Sequence, residues 1–370
     1  MDSEIIIVGG GLAGLIAAHQ LAKNGRKVLV LEKKIYPFHR VCGEYVSNEV
    51  RPFLQKQGLF PSHLDTAEIT QFELSAINGH SANIELEMGG FGISRYVLDE
   101  WLYQKALQAG AVFHLNTQVE HLEYDPLAGS FTLQLQHGKL LTCKHIIGAF
   151  GKRSKLDKVL ERPFIQNRSD YIGVKYHIKA AIDPYTVYLH NFPGGYCGVN
   201  KIEGDLYNLC YLGSREALRT FGDIATMEEK MLWLNPHLKR IFQDSEFVFE
   251  KPEVINEVNF SPKNPIENHV LMVGDAAGLI TPLCGNGMAI AIHTGKLAAE
   301  AILKHKDQKN IESEYATAWA KNFKQRLWVG RQVQRLFGSQ FVSSLGVSLL
   351  QSSKFVSRQI IRSTHGSAIE

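Results

Sequence analysis

The sequence predicts an α/β protein in which a parallel sheet carries an inserted, antiparallel second sheet. Branched apolar runs followed by glycine clusters stand near both ends of the chain, a pattern typical of buried parallel strands. Between them, residues 70–88 and 171–213 alternate apolar and polar side chains, a pattern typical of half-exposed strands. With 370 residues, 45% of them apolar, the chain is long enough for two or three folding units with real cores.

The first element is a strand–helix–strand unit over residues 5–32. Residues 5–8 are an apolar strand, residues 12–21 a helix whose small side chains face the sheet, and residues 27–31 the next strand. This order is typical of the βαβ unit that joins neighbouring parallel strands.

The turn between the first strand and the helix carries glycines in G-x-G-x-x-G spacing. Gly9 permits the tight turn, Gly11 lets a pyrophosphate approach the backbone, and Gly14 lets the helix pack close to the strand. The helix N-terminus offers free N–H groups and the positive end of its dipole. Glu32 closes the second strand, where it can accept hydrogen bonds from an adenosine ribose. The unit predicts a dinucleotide site, and alone it does not distinguish FAD from NAD(P).

After this unit the chain leaves the parallel sheet. Residues 36–44 are a loop rich in polar and aromatic side chains, and long loops at the strand ends of α/β folds commonly carry function. A helix is predicted to start within residues 47–53 and to end at Gly58. Residues 72–76 and 84–88 then alternate with period two, which predicts the first strands of the antiparallel sheet.

The chain returns to the parallel sheet at residue 94, with a helix predicted over residues 96–109 and a strand over 111–115. The β segments that follow are separated by turn residues and predict a three-stranded meander over one face of the parallel sheet. They are residues 118–124, 131–136 and 140–147.

The second half of the chain is predicted to form most of the antiparallel sheet. Its predicted strands are residues 172–178, 187–192, 195–199, 207–212 and 254–260, and its short helices are residues 227–233 and 238–242. After these strands the chain returns to the parallel sheet. A buried strand over residues 269–273 and a long helix over 288–304 complete the parallel sheet domain, and residues 312–362 are helical by pattern.

Because the chain leaves the parallel sheet and re-enters it, the sequence predicts discontinuous domains. The dinucleotide-binding domain comprises residues 1–70, 94–165 and 262–308. The substrate domain comprises residues 71–93 and 166–261, and residues 309–370 form a C-terminal helical segment.

Composition excludes several classes. The net charge of +3, without a long charged run, argues against a nucleic-acid partner. Five scattered cysteines without a C-x-x-C pair argue for reduced thiols and against a disulfide framework or zinc site. The first strand leaves no room for a signal peptide, and no apolar run reaches about 18 residues, the length of a membrane span. We therefore expect a cytoplasmic enzyme.

Three separated segments together resemble the FAD-dependent superfamily of para-hydroxybenzoate hydroxylase-like enzymes, which includes aromatic monooxygenases, flavin halogenases and geranylgeranyl reductases. They are GGGLAG with Glu32, the SRYVLDEWL around Arg95, and GDAAGLITPLCGNGM from Gly274 to Met288. The resemblance implies a Rossmann-type FAD-binding domain with a three-stranded β meander, an antiparallel β-sheet substrate domain and C-terminal helices. It also implies FAD as the cofactor.

The resemblance implies a role for each matching position. The glycine turn would hold the pyrophosphate, Arg95 the phosphate or ribityl region, Val119 the adenine and Asp275 the ribityl chain. The start of the Met288 helix would face the flavin edge that becomes negative on reduction, which a helix dipole favours. The implied FAD-binding residues are Gly9, Gly11, Leu12, Ala13, Gly14, Glu32, Lys33, Arg40, Cys42, Arg95, Val119, Gly274, Asp275, Pro282, Gly285, Asn286, Gly287 and Met288.

Within the superfamily the chain is similar to the geranylgeranyl reductase branch. The branch's proline-x-x-basic-x-Cys-Gly loop stands here at residues 37–43, and its P-G-G-Y at residues 193–196. The resemblance implies Cys42 and Tyr196 as catalytic residues. Two positions depart from the family patterns: the branch's Trp and Phe-Pro after P-G-G-Y are Cys-Gly-Val-Asn here, and the hydroxylase Asp-Gly is Phe150-Gly151. The halogenase W-x-W-x-I-P motif is absent.

Three functions stay open. The first is a reductase or dehydrogenase that transfers a hydride through flavin N5 to or from a C=C bond of a small or medium apolar molecule, with a floor around Phe192 and Tyr196. The second is a monooxygenase that hydroxylates an aromatic or polyketide-like substrate through a C4a-hydroperoxyflavin. The third is an electron-transfer module without its own substrate. NAD(P)H or a reductase would supply electrons.

The C-terminal segment carries arginines with Leu327, Val333 and Leu336 opposite them. We expect an ordinary solvated face, with weak contact to a membrane surface as the alternative. The arginines are Arg326, Arg331, Arg335, Arg358 and Arg362.

Overall fold

The computed structural model describes residues 1–167, 169–256, 258–279, 286–334, 340–352 and 366–370. The strands, in chain order, are β1 Ile5–Val8, β2 Val28–Leu31, β3 Tyr45–Ser47, β4 Ala67–Ser75, β5 Ser81–Gly92, β6 Val112–His114, β7 Val119–Asp125, β8 Ser130–Leu135, β9 Leu140–Cys143, β10 His145–Gly148, β11 Tyr171–Lys179, β12 Thr186–Phe192, β13 Gly195–Lys201, β14 Tyr207–Ser214, β15 Glu246–Phe247, β16 Glu253–Asn256, β17 Ile266–Glu267 and β18 Val270–Met272. The α-helices are α1 Leu12–Lys23, α2 Arg51–Lys56, α3 Arg95–Gln108, α4 Leu156–Val159, α5 Arg215–Phe221, α6 Ile224–Met231, α7 Pro236–Asp244, α8 Gly287–Lys304, α9 Gln308–Trp319, α10 Gln325–Gln334 and α11 Gln340–Ser352.

The predicted parallel sheet is confirmed. Its order is β17-β18-β10-β1-β2-β6, and every pair is parallel except β17 with β18. The central strand β1 is buried along its whole length, as its unbroken apolar sequence requires. On one face, α1 and α8 pack so closely that a Cβ on Gly295 would lie 2.3 Å from the Ala13 carbonyl oxygen.

The second sheet follows the order β15-β11-β14-β13-β12-β4-β5-β3, with β16 beside β11. Its pairs are antiparallel, as predicted, except that β4 and β12 run parallel. The predicted strand over residues 254–260 is shorter, because its pairing with β11 covers only Glu253–Asn256.

The helix predicted to start within residues 47–53 does start there: a 3₁₀ turn over Asn48–Val50 follows Ser47, and α2 begins at Arg51. Tyr45–Ser47, just before this turn, pairs with β5. The antiparallel sheet therefore takes strands from both sides of the first predicted domain boundary, and the division into domains stays a proposal.

The meander of β7, β8 and β9 packs on the parallel sheet, and Phe131 and Leu133 share a buried cluster with β1. The predicted third segment, residues 140–147, is in fact two strands in two sheets. Residues Leu140–Cys143 end the meander, and His145–Gly148 enters the parallel sheet beside β1. The chain crosses at Lys144, whose N–H donates to the Glu4 carbonyl.

Within the predicted helical range 312–362, the described residues 312–334 and 340–352 are helical, as predicted. Tyr315, Trp319 and Phe323 lie in the buried cluster of the parallel sheet, and Tyr315 donates its hydroxyl to the Met272 carbonyl at 2.5 Å. The solvated face predicted for the arginines is wrong at Arg326, which is buried and paired with Glu49. Arg335, Arg358 and Arg362 lie outside the described residues. Among the described helices, none has both the length and the apolar character that crossing a membrane requires.

Candidate active site

A cavity of about 930 Å³ lies between the carboxyl ends of the parallel strands and one face of the antiparallel sheet. Its first half is lined by residues that follow β1, β2, β10 and β18, where ligands bind in open α/β sheets. Its second half is lined by apolar side chains of the antiparallel sheet. Most of the predicted site residues line this one cavity: Gly9, Gly11, Leu12, Ala13, Glu32, Lys33, Arg40, Cys42, Arg95, Val119, Tyr196, Gly274, Asp275, Gly287 and Met288.

The glycine turn has the backbone that close approach of a dinucleotide needs. Gly9 has φ +105°, and a Cβ there would lie 2.4 Å from the Ala149 carbonyl oxygen. Gly14 lies beneath the turn, and a Cβ on it would come within 2.1 Å of the Gly9 oxygen. Gly11 is the N-cap of α1 and makes no side-chain cap, so the first N–H groups of the helix face the cavity. The turn fits a pyrophosphate.

Glu32 is buried at the end of β2, and both of its oxygens are held. Oε2 accepts the Gly10 N–H at 2.8 Å and lies 3.3 Å from the Arg40 guanidinium, and Oε1 accepts the Lys34 N–H at 3.0 Å. This geometry fixes the carboxylate at the cavity wall, where an adenosine ribose would lie in the predicted site.

Asp99 joins the two arginines of the site. It is fully buried one helical turn after Arg95, accepts two hydrogen bonds from the Arg95 guanidinium at 2.7 Å each, and accepts Arg40 Nε at 3.0 Å. Burial lowers the pKa of Arg95, but Asp99 outweighs burial and the net pKa is raised. The guanidinium lies 3.7 Å from where a Gly11 Cβ would be, so a permanent positive charge lies above the glycine turn. Asp99 was not predicted, although its i,i+4 spacing from Arg95 was a signal.

Cys42 lines the cavity where the dinucleotide half meets the antiparallel sheet, and Arg95 lines the same cavity. A second thiol, Cys210, lines the cavity from β14, and burial raises its pKa to about 12.

The carboxyl end of β18 closes the dinucleotide half. Gly274 has φ +58° and donates its N–H to Thr294 Oγ1 at 2.9 Å. Lys263 donates to the Asp275 and Lys152 carbonyls at 2.8 Å each, and burial lowers its pKa to about 8. It holds two strand ends together, and no pattern in the sequence singled it out.

The start of α8 faces the same cavity. Asn286 is its buried N-cap, and Gly287 and Met288 line the cavity. Pro282 and Gly285 lie outside the described residues, as does Cys284.

The second half of the cavity is apolar. Tyr196 lines it, but Phe192 does not: its side chain packs on the opposite cluster, with its ring 6.0 Å from that of Tyr211. The prediction of Phe192 as part of the floor is therefore wrong. The apolar lining includes Phe72, Leu74, Ile84, Leu86, Val187, Leu189 and Leu212, and Ser343 and Gly346 of α11 also line the cavity.

Sequence reasoning also missed a buried ion pair at the edge of the cavity. Glu44, in the loop of Cys42, lies 2.5 Å from Lys175 Nζ and 2.7 Å from His177 Nε2. Lys175 and His177 are two residues apart in an otherwise apolar strand, so they share a face. That pair of polar residues was the signal available.

Comparison with known proteins agrees with this geometry. Conditioned medium factor receptor 1 of Dictyostelium discoideum is 24% identical over 375 residues, covering 94% of this chain and 70% of its own. Digeranylgeranylglycerophospholipid reductase 1 of Methanopyrus kandleri is 26% identical and covers 91% of each chain. Menaquinone reductase of Mycolicibacterium smegmatis is 25% identical, covering 86% of this chain and 79% of its own.

Solved structures share the fold. A geranylgeranyl bacteriochlorophyll reductase-like protein of Thermoplasma acidophilum has a TM-score of 0.77 at 20% identity, covering 97% of this chain and 94% of its own. The flavin-dependent brominase Bmp2 has a TM-score of 0.78 at 16% identity, covering 100% and 94%. The profile of the FAD binding domain family matches residues 2–308. The chain therefore belongs to the FAD binding domain family, and it is an FAD-dependent oxidoreductase.

Proposed function

We propose that this protein reduces a carbon–carbon double bond in a small or medium apolar molecule. The observation that carries the proposal is the continuity of the cavity, which runs from the glycine turn past Cys42 to an apolar sheet surface containing Tyr196. An apolar pocket with a few convergent polar groups is the common form of a small-molecule site. The similarity to reductases named for geranylgeranyl lipids and menaquinone supports an apolar substrate.

Different residues would bind the cofactor, hold the substrate and supply the proton. The glycine turn and the start of α1 would bind the pyrophosphate, and Glu32 the ribose. Bound FAD would supply the hydride at N5. The apolar face of the sheet would hold the alkene and exclude water from the reacting carbons. Cys42 would give the second carbon its proton, and the Arg95 cation, which lines the same cavity, would stabilise the thiolate left behind.

The test is anaerobic reoxidation. The FAD-loaded protein is reduced with dithionite, freed of excess reductant, and mixed with apolar alkenes while the flavin absorbance is followed. We expect reoxidation by an alkene and a product heavier by two hydrogens, whereas the saturated analogue leaves the flavin reduced.

Labelled oxygen distinguishes the monooxygenase alternative from the proposed reductase. If the reduced protein leaves every alkene unchanged but incorporates ¹⁸O from labelled oxygen into an aromatic or polyketide-like substrate, the reductase proposal is wrong. NAD(P)H and a reductase protein are then compared as electron donors.

A further inference from the structure

Asn191, near the end of β12, has a side chain whose orientation is determined by the fold. Its Nδ2 donates to the Ser75 carbonyl oxygen at 2.8 Å. A carbonyl oxygen only accepts hydrogen bonds, so the amide nitrogen of Asn191, and not its amide oxygen, must face Ser75. The backbone is held as well, because the Asn191 carbonyl accepts Asn235 Nδ2 at 2.9 Å. The amide oxygen Oδ1 is therefore directed away from the Ser75 carbonyl.

This amide oxygen is buried and makes no hydrogen bond within the described part of the chain. Asn191 is 0% exposed, and Oδ1 has no hydrogen-bond partner among the residues that the structure describes. Most buried polar atoms in proteins are paired, and an unpaired buried acceptor lowers stability, which an apolar side chain of similar size would not do. The unpaired oxygen therefore points to a partner that is not part of these residues.

The position of Asn191 indicates where that partner would bind. Alternate residues of a strand share one face of the sheet, so Asn191 lies on the same face of β12 as Val187 and Leu189. Its cross-strand partner on β13 is Tyr196. All four residues line the cavity, in its apolar half. Asn191 thus places a hydrogen-bond acceptor in a wall that is otherwise largely apolar.

Asn208, on β14, shows that burial alone does not point to a ligand. Both of its side-chain amide atoms are buried and have no hydrogen-bond partner within the described residues. Asn208 is not among the described residues that line the cavity. Asn191 differs from it in lying where a ligand can bind.

The neighbours of Asn191 determine which donor fits. Tyr196 pairs with Leu212 on the next strand, and Leu189 pairs with Leu74 on β4. None of these four neighbours carries a carboxylate with which an ammonium group could pair, and an unpaired cation is costly to bury. A neutral hydroxyl loses less on burial and supplies the hydrogen bond that Oδ1 lacks.

We propose that Asn191 is a specificity-determining residue that binds the hydroxyl group of an otherwise apolar substrate. Oδ1 accepts the O–H of the substrate, and the apolar side chains around it hold the hydrocarbon part. The substrate class, an apolar alkenol, rests on the proposed function, but the hydroxyl site does not. The hydroxyl takes no part in the transfer of the hydride or the proton.

The test measures binding to the oxidised, FAD-loaded protein without turnover. The probes are n-octanol and n-octyl fluoride, which are similar in size, although only the alcohol donates a hydrogen bond. Isothermal titration calorimetry measures both affinities. We expect the parent protein to bind n-octanol at least about tenfold more tightly, because the fluoride leaves the buried oxygen unpaired.

Asn191→Leu removes Oδ1 and nearly keeps the size of the side chain. The preference for n-octanol should therefore disappear, while n-octyl fluoride should bind at least as tightly as before. Asn208→Leu is the matched control, because it removes an equally buried, unpaired amide away from the cavity and should keep the preference. Flavin absorbance per protein reports folding, and if Asn191→Leu does not retain FAD, Asn191→Ala replaces it.

Equal affinities in the parent protein, or binding of neither probe, would overturn the proposal. A preference that survives in Asn191→Leu would overturn it too, as would its loss in Asn208→Leu, which would indicate a general loosening of the sheet. Failure of the alkene reoxidation with the Asn191-dependent preference intact would contradict the proposed function and leave the hydroxyl site standing.

Discussion

Cys42 carries the sharpest residue-scale prediction. Because Cys42 is only partly buried and Arg95 remains held by Asp99, Cys42→Ala should retain FAD and lose most turnover with the alkene. Flavin absorbance per protein measures the first effect and the rate of anaerobic reoxidation the second. Cys210→Ala, which removes the other thiol of the cavity, is the control and should keep its turnover. Normal turnover in Cys42→Ala would mean that the cysteine only packs.

Glu228, on α6, gives a pH-dependent prediction. It accepts the Tyr176 and Tyr211 hydroxyls at 3.0 and 2.8 Å, and burial raises its pKa to about 7. Since the folded carboxyl holds its proton more tightly than the unfolded one, its contribution to stability is largest below pH 4.5 and is lost as pH rises towards 7.

Glu228→Gln mimics the protonated carboxyl and can still accept both hydroxyls. We expect it to raise the free energy of unfolding above pH 7 by at most about 3 kcal/mol, and to flatten its dependence on pH between about 5 and 7. Urea unfolding at several pH values measures both. An equal slope in the two proteins would contradict the assignment, and Glu229→Gln, an exposed neighbour, is the control.

At the residue scale, the sequence predicted the site residues whose spacing along the chain follows from the local structure that binds a dinucleotide. Gly9, Gly11 and Glu32 lie in the cavity because a turn and a strand end dictate their positions. Glu44 and Lys175 are 131 residues apart in the chain, and only the tertiary fold brings them together. A local sequence pattern does not predict such a long-range contact.

At the scale of elements, α11 forms one wall of the apolar half of the cavity. Val347 is buried with Leu74, Tyr196 and Leu212, and Gly346 lines the cavity with nothing within 4 Å of where its Cβ would stand. Gly346 therefore marks space that a substrate could fill, and a larger side chain there should shorten the cavity.

Gly346→Ala should be tolerated, since alanine stabilises a helix by roughly 0.5–1 kcal/mol over glycine. Gly346→Phe should lower kcat/KM for long alkenes more than for short ones, because the ring occupies the space their chains need. Leu345→Phe places the same ring on an exposed neighbour and should change neither. Equal losses for long and short substrates in Gly346→Phe would show that this wall does not limit length.

Helices and strands were predictable from the sequence where a single hydrophobic period continued through the whole element. The buried strand β1 and helix α3 lie within a residue of their predicted bounds. Residues 140–147 kept a strand pattern across a change of sheet, because alternation and burial describe a strand's surroundings and not its partner. The wall built by α11 depends on long-range packing and was not predictable.

For the whole molecule, the C-terminal segment is part of the core. The family profile ends at residue 308, yet Tyr315, Trp319 and Phe323 pack with the parallel sheet. Residues 366–370 return to the N-terminal half: the Gly366 N–H donates to Glu49 Oε2 at 2.5 Å, and the Ile369 N–H donates to the Glu49 carbonyl at 2.8 Å. Glu49 thus connects the N-terminal half of the chain to residues 366–370.

The Glu49–Arg326 pair is the charged contact of this junction, with both Glu49 oxygens 3.1 Å from the Arg326 guanidinium. Both residues are buried, so removing either one breaks a buried ion pair. Glu49→Leu or Arg326→Leu should therefore each lower the free energy of unfolding by about 3–5 kcal/mol. The double variant should lose much less than the sum, because the same ion pair is broken only once. The exposed pair Lys179–Glu246 provides the control cycle, with an expected coupling of about 0–1 kcal/mol. Urea unfolding measures all of these, and strictly additive losses at Glu49 and Arg326 would mean that this ion pair does not stabilise the junction.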